Sequence, residues 1–167
     1  MLKFTSLKST ALVSASAIAT TLLIQACGGN AVAQAASDAD VIEGVWDSTV
    51  TSKDCASGAV LGQPFKALVV FRRGGTMDVD SAQARTTRGN IYGTWKHGAG
   101  TSYAGNVVHH RFNADGTYAG INKVQRNLTL AADATGFTST LAVQILDPAG
   151  TVVGTVCPTE TAVRMNL

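Results

Sequence analysis

From residue 41 onward the chain is cut into short runs of alternating apolar and polar residues, each ended by turn chemistry, a pattern that fits little besides β-strands. Two turns are explicit. Asn113-Ala114-Asp115-Gly116 has the residues of a type I turn closed by glycine and joins a strand ending at Arg111-Phe112 to one beginning at Thr117-Tyr118. Asp147-Pro148-Ala149-Gly150 repeats that logic with proline second, where its fixed φ suits the turn. Residues 44–53 are rich in β-branched side chains, and 65–72 place Phe65, Ala67, Val69 and Phe71 on one face. Met77 and Val79 share a face over 76–80, residues 81–90 are polar and loop-like, and 91–96 resume the alternation until His97-Gly98-Ala99-Gly100 ends it. Residues 127–130 and 137–146 follow; in the second, Phe137, Leu141, Val143 and Ile145 fall together. About eight strands joined mostly by short connections predict an all-β, eight-stranded up-and-down antiparallel barrel over 41–167, with a two-sheet sandwich as the competitor.

The first forty residues do not share this pattern. Lys3 and Lys8 flank a basic start, residues 11–24 form an uncharged run, and Ala26-Cys27-Gly28-Gly29 follows, which is the layout of a signal peptide. The run is diluted by Ser14, Ser16, Thr20 and Thr21 and is shorter than the roughly 20 apolar residues of a spanning helix. Ile24-Gln25-Ala26-Cys27 resembles the lipobox of bacterial lipoproteins. That resemblance implies cleavage after residue 26, a diacylglyceryl anchor carrying palmitate-type chains on Cys27, and a place in the cell envelope. Gly28 after the cysteine resembles lipoproteins forwarded to the outer membrane, facing the periplasm. The alternative is ordinary cleavage after Ala31-Val32-Ala33, which discards Cys27 and releases a soluble periplasmic or secreted protein. Residues 1–26 thus read as leader, 27–40 as a small, polar tether, and 41–167 as the folded domain.

In an exported chain Cys55 and Cys157 face an oxidising compartment, so a disulfide is the default, the alternative being two buried thiols. Gly44-Val45-Trp46 resembles the Gly-x-Trp start of lipocalins and their calycin relatives, whose tryptophan closes the barrel base beneath an arginine from the end of the chain. The resemblance makes Arg164 the partner of Trp46 and implies barrel closure through Gly44, Trp46 and Arg164. If the first and last strands pair antiparallel, the Trp46–Arg164 and Cys55–Cys157 contacts lie within two residues of one register, a difference that a bulge or diagonal pairing absorbs. The whole of 41–167 also resembles a group of uncharacterised bacterial envelope proteins with the same Trp, Cys and Asp-Gly-Thr-Tyr layout.

Chemistry is sparse. With 13 Lys and Arg against 11 Asp and Glu, interspersed, the chain has no basic patch, which argues against nucleic acid as a partner. No nucleophile elbow, phosphate loop or metal motif occurs, so no catalytic residue, cofactor or metal is assigned. His109 and His110 are adjacent in a strand and point to opposite faces, His97 sits in a turn, Asp78 and Asp80 read as a solvated pair, and Tyr92 and Trp95 either line a cavity or pack. The preferred expectation is a membrane-tethered module binding a small apolar or amphiphilic ligand inside the barrel, with Phe65, Val69, Phe71, Met77, Leu141 and Val143 facing inward. The alternatives are an envelope interaction or structural protein with a filled barrel, and an enzyme of calycin type.

Overall fold

The structure is a computed structural model and describes residues 40–83 and 85–166. The leader (1–26), Cys27 and the tether up to residue 39 lie outside the described residues. The domain is all-β: β1 (Gly44–Thr51), β2 (Phe65–Arg72), β3 (Thr76–Ser81), β4 (Ile91–His97), β5 (Ser102–Phe112), β6 (Tyr118–Leu130), β7 (Gly136–Leu146), β8 (Val152–Val156) and β9 (Thr159–Arg164), with one 3-10 turn at Arg85–Thr87.

Each strand pairs antiparallel with its sequence neighbour from β1 to β7. β8 runs along the C-terminal part of β7, and β9 runs along its N-terminal part. β8 and β9 are therefore one stave interrupted at Cys157-Pro158, where proline offers no amide to a ladder. The Leu141 amide still donates to the Pro158 carbonyl (2.9 Å), so the two halves stay in line. Because β9 also pairs with β1, the sheet closes as a barrel of eight staves. Closure removes the unpaired edges that an open sheet of this length would expose, except along β8, which has no second strand beside it among the described residues.

The turns follow from the residues. Asp115 and Asp147 each turn a carboxylate oxygen onto the backbone amide of a threonine, Thr117 (2.9 Å) and Thr151 (2.8 Å). Gly116 and Gly150 close both turns with φ of 83° and 85°, values that side chains with a Cβ rarely adopt. Outward positions carry threonines opposite one another, Thr49 with Thr161 and Thr161 with Thr138, the cross-strand pairing that suits β-branched residues.

Candidate functional site

The inward side chains change size along the barrel. On β1 they run Trp46, Ser48, Val50; on β3, Met77, Val79, Ser81; on β2, Phe71, Val69, Ala67, Phe65. Large rings thus gather at one end and, Phe65 apart, smaller groups at the other. At the first end Trp46 and Phe137 lie 5.1 Å apart, Phe71 meets Phe137 at 6.1 Å and Trp95 at 5.9 Å, and Trp95 meets Tyr103 at 6.0 Å. Such pairs contribute about 0.5–1.5 kcal/mol each beyond their area. Trp46 is 0 % exposed and donates its Nε1 hydrogen to the Ile42 carbonyl (2.9 Å). Arg164 stands opposite Trp46 in the β1–β9 register, with its guanidinium 4.2 Å from the ring centroid. Its Nε donates to the Ala134 carbonyl (3.0 Å), Nη1 to Glu43 (2.9 Å) and Nη2 to Val41. Gly44 is glycine here because its φ is 131° and a Cβ would come within 3.0 Å of Arg164 Nη1. Asp40 completes this end, accepting from the Tyr103 hydroxyl (2.6 Å) and lying 3.0 Å from His97 Nδ1.

At the other end the small side chains leave a cavity of about 220 Å³, open to solvent. Phe65, Leu141 and Val143 line it, as do Val50, Ile91 and Val107. Val69, Phe71 and Met77 face inward as expected but fill the packed core and do not line the cavity. The volume is below the roughly 300–1,000 Å³ of drug-sized sites, so it suits a short molecule and not a long acyl chain. Cys55 and Cys157 are bonded and tie the 52–61 loop to the break in the last stave, where the Cys157 amide also donates to the Lys53 carbonyl (2.9 Å). On the 81–90 loop, Arg88 donates to the Ser81 carbonyl and lies 3.3 Å from Asp80, while the Gly89 amide donates to the His110 carbonyl (2.9 Å).

The polar groups of the cavity escaped the sequence reading. Arg126 on β6, 4 % exposed, and Glu160 on β9, 2 % exposed, meet across its floor, with Arg126 Nη2 at 3.3 Å from Oε1 and 3.2 Å from Oε2. Arg126 Nε and Nη1 have no acceptor, and Glu160 Oε2 accepts no hydrogen bond. Burial lowers the Arg126 pKa, and the Glu160 charge opposes that shift. A buried pair of this kind costs several kcal/mol per ion in desolvation, and each unsatisfied group adds about 1–3 kcal/mol, so its presence calls for a reason beyond stability. The signal was one of parity: Val124, Arg126, Leu128 and Leu130 share a face, as do Glu160 and Ala162.

Nearer the mouth, His109 Nδ1 lies 3.2 Å from the His110 carbonyl, which can only accept, so Nδ1 carries the hydrogen. Nε2 is then the acceptor for Asn122 Nδ2 (3.2 Å), leaving Asn122 Oδ1 buried without a donor. Burial pushes the His109 pKa down; the His110 carbonyl resists, and Arg88, Arg111 and His110 add to the fall. His110 is outside, its ring edge against Tyr118. Asp78 pairs with Arg72 and Asp80 with Arg85 and Arg88. Tyr92 is exposed on the outer wall, whereas Trp95 packs and donates to the Arg72 and Thr76 carbonyls. Among the described residues no three His, Cys, Asp or Glu side chains lie close enough to hold a metal.

No protein-family model matches this chain, and no curated protein matches it in sequence. Among solved structures, one described as EF1p2_mFAP2b bound to DFHBI is similar to it, with a TM-score of 0.50 and 18% identity over 75% of this chain and 94% of that chain. At that identity the likeness is one of fold.

Proposed function

We propose that this protein is an envelope-tethered binding module that holds a small apolar or amphiphilic molecule in the open end of its barrel. The observation that carries the reading is the cavity of about 220 Å³: it is apolar on most sides and lies at the end of the barrel away from the packed rings. Eight staves enclose an interior just wide enough either to fill with side chains or to hold one small ligand, and here small inward residues at one end tip that balance. The solved barrel of similar fold, which is bound to DFHBI, lends the reading support. Attachment to the membrane through Cys27, with the outer membrane as the destination, rests on the lipobox-like residues 24–27.

Titration with N-phenyl-1-naphthylamine, a neutral probe that brightens in apolar surroundings, tests the cavity. One saturable site is expected, and Val143→Trp, which fills the cavity from its wall, should abolish it while the protein still unfolds cooperatively. Undiminished binding in that variant, or none in the parent protein, refutes the reading. Mass spectrometry of the mature N-terminus tests the anchor: a lipid-modified Cys27 is expected, and a chain beginning at residue 34 excludes it.

A further inference from the structure

We infer that the cavity is gated by pH, holding its ligand while His109 is neutral and giving it up when that ring takes a second proton. The inference rests on the binding reading and adds its regulation. His109 faces inward from β5 and lines the cavity together with Asn122 of β6, its partner in the β5–β6 register. Both ring nitrogens are committed: Nδ1 gives its hydrogen to the His110 carbonyl (3.2 Å), and Nε2 takes one from Asn122 Nδ2 (3.2 Å). That arrangement has room for one proton on the ring. A second, on Nε2, would point at the hydrogens of the Asn122 amide, so Asn122 would have to turn over and offer Oδ1, which has no donor.

The surroundings oppose that second proton. Arg88 faces the ring from the 81–90 loop, and Arg111 and His110 face it from its own strand. Asp80, beyond Arg88, is engaged by Arg88 (3.3 Å) and Arg85, and Glu160, deeper in the cavity, is engaged by Arg126. On β6 the ring meets the uncharged Asn122, and Lys123 beside it is exposed on the outer wall. No carboxylate among the described residues is therefore left to pair with an imidazolium here. Burial, with these cations adding to it and the His110 carbonyl resisting, holds the His109 pKa below its ordinary value. While the mouth is open to solvent, a charged ring in this wall still draws on water. An apolar ligand removes that water and supplies no acceptor in its place, so it binds the neutral ring in preference to the charged one. Linkage makes the effect reciprocal: the ligand lowers the His109 pKa further, and as pH falls between the free and bound values the affinity falls with it.

Proton NMR of the His109 ring in the full chain, assigned by comparison with His109→Gln, tests this with N-phenyl-1-naphthylamine as the probe, over the pH range in which near-ultraviolet circular dichroism shows the barrel folded. Glutamine places an acceptor where Nε2 stands and takes up no proton. The His109 midpoint should fall by about 0.5 or more in pH when the probe saturates the cavity, and the probe's affinity should drop by the matching factor, about threefold or more, as pH is lowered through the two midpoints. In His109→Gln the affinity should stay constant across the same range. A midpoint that the probe leaves unmoved, a ring that stays neutral throughout, or an affinity in His109→Gln that falls as in the parent overturns the gate while leaving the binding reading intact. Absence of probe binding at neutral pH in the parent and in His109→Gln alike overturns the binding reading as well.

Discussion

Arg164 lies over the face of Trp46 at 4.2 Å, directly opposite it in the register that joins the last strand to the first. The contact is a lock: one guanidinium holds the ring and three backbone carbonyls, from Val41, Glu43 and Ala134, that belong to segments on both sides of the closure. Arg164→Met keeps the length and loses those bonds. It should lower stability by about 2–4 kcal/mol, from a cation–π contact near 1 kcal/mol and charged hydrogen bonds of about 1.5–3 kcal/mol each, part of which water replaces at this half-buried site. Urea unfolding followed by tryptophan fluorescence measures it, and a loss under 0.5 kcal/mol would show that the closure does not depend on this residue.

Reduction of Cys55–Cys157 should destabilise the barrel strongly. The bond closes a loop spanning 102 positions, for which chain entropy gives an upper value of about 4.7 kcal/mol. The expected outcome is a urea midpoint that falls sharply with reductant, and equally in the C55A/C157A double variant.

The Arg126–Glu160 pair should behave non-additively. Arg126→Met alone strands a carboxylate in the interior and should cost about 3–5 kcal/mol, whereas R126M/E160L, which removes both charges, should cost far less and can be neutral. Unfolding of the two singles and the double measures the coupling. A double variant as damaged as the singles together would mean that the two charges do not compensate each other.

Acid should loosen the barrel through His109. Its folded pKa lies below the ordinary value of about 6.5, so between the two the unfolded chain binds more protons than the folded one. Stability therefore rises with pH across that window and falls on acidification below about 6.5. The urea midpoint should drop between pH 7.5 and 5.5, and His109→Asn should flatten the change.

Much of the architecture was legible because it is local. Asp115-Gly116 and Pro148-Ala149-Gly150 specify their turns within four residues, and period-two patterning marks β2 at its structural limits and β7 to within one residue. The Gly44, Trp46 and Arg164 grouping was legible only through resemblance, since nothing in 44–46 points to a residue at the far end of the chain. β6 was harder: the polar Asn122 and Arg126 interrupt its inward face, and the sequence marks only 127–130 and a start near Tyr118, whereas the strand runs through from Tyr118 to Leu130. The break at Cys157-Pro158 divides a stave without adding one, which the ladder shows and the sequence does not. The charged floor was hidden for a different reason. Arginine and glutamate on strands ordinarily face water, so nothing in the sequence singles out Arg126 and Glu160 although they lie in step with Leu128 and Ala162.

The gradient from rings to small side chains makes the barrel a blind tube. Whatever occupies it must back out through the same opening by which it came in, so a newcomer has to wait for the resident to leave, and exchange rates will be set by departure alone. A molecule longer than the tube is deep would leave its far end in the surroundings.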